Sequence, residues 1–239
     1  MVLADRERLC GGPFPASVKE WFSIQHAEAL FRQNTNQDEL VSHTQLGEPS
    51  AYGEGFLHVA SENQAVVDWY AHLDGSDNPP VYGTDDRWDA DLSSVEWRLC
   101  SNTFSEFIFD AVFYHPFGGW DSGMHLSAKE RLPDESMLER LRSTFQEGPV
   151  TDLPDRIIRR FFNRHAIIDI RTRSPELIAK GQAEWRVEAD SEESLLDTTL
   201  AIWSMHDMST SLAAMSATPE SRRRGESVLK RIRRQAPGD

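Results

Sequence analysis

The chain has 239 residues, of which 39% are hydrophobic and 27% charged, with two Cys and a formal net charge of −14. That length buries a substantial core in one large domain, or in one domain with a sizeable extension, while two Cys in unrelated contexts, Cys10 and Cys100, exclude a disulfide framework and imply free thiols in a reducing compartment. The first eight residues break into charge before an apolar stretch of signal-peptide length forms, and no run approaches the roughly 20 apolar residues of a membrane span, so a cytoplasmic protein without membrane contact is expected.

Residues 1–12 show no clear periodicity and close on Gly11 and Gly12. Pro13-Phe14-Pro15 sets an extended entry, after which Val18, Trp21 and Phe22 fall on one helical face with Ser17 as the cap. Between 26 and 46 the pattern weakens. Ala29, Leu30 and Phe31 suggest a short helix, and Leu40, Val41 and Leu46 pack in an element of ambiguous type. After a loop at 49–55 come two runs with strand character, 55–60 and 65–73. The first leads into Ser61-Glu62-Asn63-Gln64, and the second alternates as a half-buried strand does. Residues 74–80, Asp-Gly-Ser-Asp-Asn-Pro-Pro, form a turn because glycine, asparagine and two prolines disfavour a regular ladder. Val81-Tyr82 returns as a short strand.

Negative charge then concentrates. Between Asp74 and Glu96 stand seven carboxylates (Asp74, Asp77, Asp85, Asp86, Asp89, Asp91, Glu96) against Arg87, with Trp88 interleaved. Residues 97–100 are a short strand or the approach to the next helix, which spans 103–113. Thr103 and Glu106 make its capping box, and positions 104, 107, 108 and 111 face inward.

Past Pro116 a second region begins. Residues 134–147 read as a helix that stops at Gly148-Pro149. The segment 154–163 reads as a basic helix, with Pro154 in its first turn and a stripe of Ile157, Ile158, Phe161 and Phe162. Strands are expected at 166–170 and 184–189, paired with each other and joined through a short helix at 175–180. Residues 191–206 form the last clear helix, with Glu192 and Glu193 in the turn the macrodipole favours. From 216 onward seven basic residues face three acidic ones, a net +4 that leaves −18 on the preceding 215 residues. This basic tail is expected to be an exposed helix or disordered. Nucleic acid is not expected as a partner except through this tail, because the acidic body repels it.

Motifs that advertise catalysis are missing: no nucleophile elbow, no phosphate loop, no metal-binding H-E-x-x-H helix. The eight His are scattered, so no metal or other cofactor is expected; His58 and His72 would face each other if their strands pair, an arrangement that more often packs than ligates. Asp85 and Asp86 lack the roughly six oxygen donors a hard cation needs. An enzyme using Glu62 with one of these histidines would require all three to converge in a pocket. The stretch Asp74, Asp77, Asp85, Asp86, Trp88, Asp89 and Asp91 instead suits partner binding, since acidic rim charges steer a basic protein and a tryptophan among them supplies the anchor.

Phe14-Pro15 before the first helix, Phe56-Leu57-His58-Val59-Ala60-Ser61-Glu62-Asn63-Gln64, Pro79-Pro80-Val81-Tyr82 and Thr103-Phe104-Ser105-Glu106-Phe107 together resemble, in that order, the SUKH superfamily, the Smi/Knr-like domain of fungal cell-wall regulators and bacterial toxin-immunity proteins. Asn78 stands where many relatives carry Asp, and the usual leading helix is short or missing. The resemblance implies an α+β fold with an antiparallel or mixed sheet and flanking helices over residues 13–116, followed by a C-terminal α+β extension over 117–215 and the basic tail over 216–239. It implies a non-enzymatic protein-binding module of immunity type whose partner is a basic toxin domain. A regulatory adaptor of the Smi/Knr type is the alternative.

Overall fold

The computed structural model describes residues 2–9, 12–35, 39–41, 46, 55–64, 67–84, 96–112, 124–172, 174–204, 213–215 and 218–235. The chain divides into two compact units, Met1–Pro116 and Phe117–Asp239. Each is of α+β class and holds its own antiparallel sheet.

In the first unit, helices α1 (Val2–Leu9), α2 (Ala16–Ser23) and α3 (Ala27–Asn34) precede the strands β1 (Glu39–Leu40), β2 (Phe56–Ser61), β3 (Asp68–His72), β4 (Val81–Thr84) and β5 (Arg98–Ser101), and α4 (Phe104–Val112) follows. The strands pair in chain order as an antiparallel meander. The period-2 side-chain alternation decides which face is dry. Leu57, Val59, Ala71 and Val81 join Val18, Phe22, Phe31, Phe104 and Phe107 in one core, so the helices lie on that face. Gly83 is a close approach, since a Cβ there would sit 2.9 Å from Cys100 Sγ. The segment 97–100 thus resolves as strand. Residues 1–12 depart from expectation by forming α1, which is tied down from outside: Arg6 Nε donates to the Leu46 carbonyl at 2.9 Å and Glu7 Oε1 accepts from Phe14 N at 2.8 Å. A helix fixed through polar contacts leaves no apolar stripe to read.

The second unit is built on β6 (Met124–Arg131), α5 (Glu135–Thr144), β7 (Gln146–Glu147), β8 (Thr151–Leu153), β9 (Arg156–Phe162), β10 (Ala166–Thr172), α6 (Pro175–Ala179), β11 (Gln182–Ala189), α7 (Glu192–Trp203), β12 (Ala213–Met215) and α8 (Pro219–Gln235). The sheet order is β12-β6-β11-β10-β9-β7, with β8 also paired to β9. Every residue of β10 is buried, as befits a central strand. Leu126, Ile168, Ile170, Trp185 and Val187 pack against Leu138 and Leu141 of α5, Leu195 and Ile202 of α7 and Val228 and Ile232 of α8.

Three expectations fail here. Residues 154–163 are not a helix: Pro154 and Asp155 form the turn of the β8–β9 hairpin. The stripe at 157, 158, 161 and 162 suits either period, and its β-branched and aromatic residues favour the strand once β10 is there to pair with it. The helix at 134–147 ends at Thr144, since Gln146 and Glu147 pair with Phe162 and Phe161. The segment 216–239 is not a tail: α8 buries Ser221, Gly225, Val228, Leu229 and Ile232, which recur at helical spacing. Two members of that stripe are Ser and Gly, so an apolar count hides it. Gly225 lets the helix approach β12, where an added Cβ would stand 3.2 Å from that of Ala214. Arg224–Glu192 (3.0 Å) and Arg231–Glu193 (2.8 Å) link α8 to α7.

Ile232→Ala is therefore expected to lower unfolding free energy by about 2–5 kcal/mol, and Arg233→Ala, on the exposed side of the same helix, to change it by no more than about 0.5 kcal/mol. Chemical denaturation of the two variants checks this; equal effects would return the segment to a solvated end.

Candidate functional site

Turn chemistry at 74–80 produces the organising feature of the first unit. Asp74 Oδ1 accepts from Ser76 N (2.9 Å) and Ser76 Oγ from Asn78 N (3.0 Å), so successive side chains shape the loop themselves. The loop then caps two helices. The Asp77 carbonyl accepts from Ser17 N at 2.9 Å in the first turn of α2, and Asn78 Oδ1 accepts from Ser105 N at 3.0 Å in the first turn of α4. Helix starts leave N–H groups without intrahelical partners, and both starts here are served by one turn. Ser17 is thus not the cap of α2: Pro15 holds the cap position without a side-chain bond, and Ser17 contributes its backbone N–H. At α4, Thr103 Oγ1 accepts from Glu106 N (3.1 Å), as the capping box requires.

Because both helices start at the same turn, they flank a groove of about 330 Å³. Trp21 and Ile24 of α2 and Ile108, Phe109 and Val112 of α4 line it, and Glu20 is the one charged residue among its lining. Ile24 is 44% exposed. Of the residues singled out from sequence, Asp74 and Asp77 stand exposed on the capping turn. Asp85, Asp86, Trp88, Asp89 and Asp91 lie outside the described residues. The groove itself escaped sequence reading, although a signal exists. Phe109 and Val112 fall off the buried stripe of 104, 107 and 108, so α4 is apolar on more than its core face.

The opposite face of the first sheet is aromatic. Phe56 stacks on Trp97 with centroids 3.8 Å apart, Tyr70 meets Trp97 edge-on at 5.1 Å, and Tyr82 meets Phe56 edge-on at 5.8 Å. Strands β2 and β3 do pair, but register sets His58 against Tyr70 and His72 against Phe56, so the two histidines sit diagonally and each faces another ring. Among the described residues no group of three or more His, Cys, Asp or Glu is placed to hold a metal ion.

His58 gathers a constellation that superficially resembles a nucleophile, base and acid. Its Nε2 lies 3.1 Å from Ser61 Oγ, 3.1 Å from the Ala60 carbonyl and 3.3 Å from Asp68 Oδ1. A catalytic relay needs the carboxylate on one ring nitrogen and the hydroxyl on the other. Here both share Nε2, so Asp68 cannot orient the ring for Ser61. Glu62 turns away, its Oε2 accepting from Gln64 N at 2.7 Å. Glu62, His58 and His72 do not form the convergent site an enzyme reading requires. The cluster instead bears on stability. Burial opposes ionisation of Asp68, but the contacts with His58 and Ser61 outweigh it and hold the carboxyl below its ordinary value. Burial, helped by the Asp68 charge, pushes the Tyr70 phenol up to about 12.

The second unit carries a different polar face. Register places Asp169 between Arg160 and Arg186, with Arg171 on the same side of β10, and all four are buried. Asp169 pairs with Arg171 and lies 3.7 Å from Arg160, and Glu188 pairs with Arg186. Three arginines against two carboxylates in the interior specify strand register, because slipping one residue would strand each charge.

Comparison with family models, with curated proteins and with solved structures finds no match to this chain.

Two outcomes follow from the capping turn and the His58 cluster. Asn78→Ala, which removes the acceptor for Ser105 N, is expected to cost about 1 kcal/mol, while Asn78→Asp restores an acceptor and recovers most of it; denaturation curves of the pair decide. Since the folded pKa of Asp68 is depressed, its contribution is complete above the ordinary value of 3.8 and is lost as pH falls through the lower folded value. Asp68→Asn is expected to destabilise at pH 7 and to flatten stability against pH below about 4, measured by unfolding at stepped pH.

Proposed function

We propose that the chain is a non-enzymatic protein-binding module of SUKH type, an immunity-type protein whose first unit takes a basic toxin domain. The observation that carries this reading is the pairing of an apolar groove, open at Ile24, with carboxylates at its rim: Glu20 in the lining and Asp74 and Asp77 exposed on the turn that caps both groove helices. Interfaces work in this way, with a few apolar anchors supplying affinity and charges around them steering the encounter. The SUKH reading is supported by where its motif residues fall. Glu62-Asn63-Gln64 follows β2, Trp69 lies on β3, Asn78-Pro79-Pro80 leads into β4 and Thr103-Phe104 opens α4. These residues make structural contacts, so they define the fold and leave recognition to the surface between α2 and α4 and to the acidic stretch that follows β4.

A Smi/Knr-type adaptor is the second reading, and the second unit favours it. A separate core of its own size gives the chain a further surface beyond what neutralising one toxin needs. The two readings share the basic partner on the first unit.

Mixing the intact chain with basic nuclease or deaminase effector domains tests the proposal. A complex is expected whose association slows as salt rises past the range where the Debye length falls below about 8 Å, and which Asp74→Asn together with Asp77→Asn slows about tenfold at low salt. A complex indifferent to salt, or none at any salt, contradicts it.

A further inference from the structure

The groove between α2 and α4 has a direction, and the direction selects its occupant. Its near end, at Ser17 and Ser105, meets the capping turn where Asp74 and Asp77 are exposed. One turn along stands Glu20, and the far end opens on Ile24 and Val112. The nearest cation on α2, Lys19, is engaged by Glu7 at 3.4 Å, so the near end stays acidic. The helix starts there do not compete for that acidity, because the turn supplies their acceptors from the Asp77 backbone and the Asn78 amide. Two polar atoms of lining residues are also unserved among the described residues. The Trp21 indole N–H and the Ser17 hydroxyl are each buried without a hydrogen-bond partner, a cost of about 1–3 kcal/mol for a buried polar group, which an incoming acceptor relieves.

From this we infer that the groove receives an amphipathic helical segment of the partner, laid along α2 and α4 with apolar side chains against Ile24, Ile108 and Val112 and Lys or Arg toward Glu20, Asp74 and Asp77. A helix in a groove is read through anchors three and four residues apart, and a single face of that kind matches a site that is apolar at one end and acidic at the other. The inference rests on the basic-partner reading above and assigns it to one surface.

The probe is a synthetic peptide of about two heptads with Leu at the apolar heptad positions and Lys elsewhere, titrated against the full chain by fluorescence anisotropy and by amide chemical shifts. Shifts are expected on residues of α2 and α4. Ile24→Glu, at an exposed position that tolerates a charge, is expected to weaken binding at least about tenfold, as the loss of one buried anchor does. Because that variant adds a negative charge, general attraction of a cationic peptide to an acidic protein would run the other way. Unchanged affinity in Ile24→Glu, shifts confined to other elements, or no binding up to about 1 mM overturns the assignment. The same peptide with Glu in place of Lys separates the two levels. If the Lys peptide binds away from the groove, the groove is wrong and the basic partner stands; if the Glu peptide binds as tightly as the Lys peptide, the basic partner is wrong as well.

Discussion

Most of what the first unit presents to solvent depends on one seven-residue turn. The Asp77 carbonyl and the Asn78 amide each take an N–H from the start of a different helix, and residues far apart in sequence, Ser17 and Ser105, are thereby brought to one place. Each bond is worth about 1 kcal/mol. The consequence exceeds that energy, because the shared origin of α2 and α4 is what leaves a groove between them and sets carboxylates at one end of it. Pro79 and Pro80 reinforce the constraint by restricting the backbone as β4 begins.

Both units solve the same problem, a sheet with one face under helices, and they finish the other face in contrasting ways. The first stacks aromatic rings there, with Trp97 reaching Phe56 and Tyr70. The second places Arg160, Asp169, Arg171, Arg186 and Glu188 in buried rows. Ring pairs contribute about 0.5–1.5 kcal/mol each beyond their burial, whereas buried ion pairs return little net energy but penalise any other register. Neither face provides catalytic geometry. The one constellation with the right residue types, Ser61, His58 and Asp68, converges on a single ring nitrogen.

Sequence made the first unit's strands and α4 legible because their signals are local: alternation, turn residues and a capping box. It failed where the deciding partner is distant. The hairpin at 151–162 satisfies a helical stripe and a strand equally well until β10 is present to pair with Arg159 and Arg160. Helix α8 hid its core stripe behind Ser221 and Gly225 and a run of arginines. The strand β6 alternates Met124, Leu126 and Ala128 inward, but His125, Ser127 and Lys129 between them gave it no strand-forming bias. For the site, the acidic stretch was visible as composition. Asp74 and Asp77 now have a place beside the groove, and the groove itself came from helix packing that no local pattern encodes.

The account comes down to where a basic protein lands. Hydrogen–deuterium exchange of the intact chain with and without a bound basic effector domain measures this directly. New protection concentrated on residues 17–24 and 104–112 is the result the account predicts. Protection confined to the second unit, or to the aromatic face of β2 and β3, would contradict it.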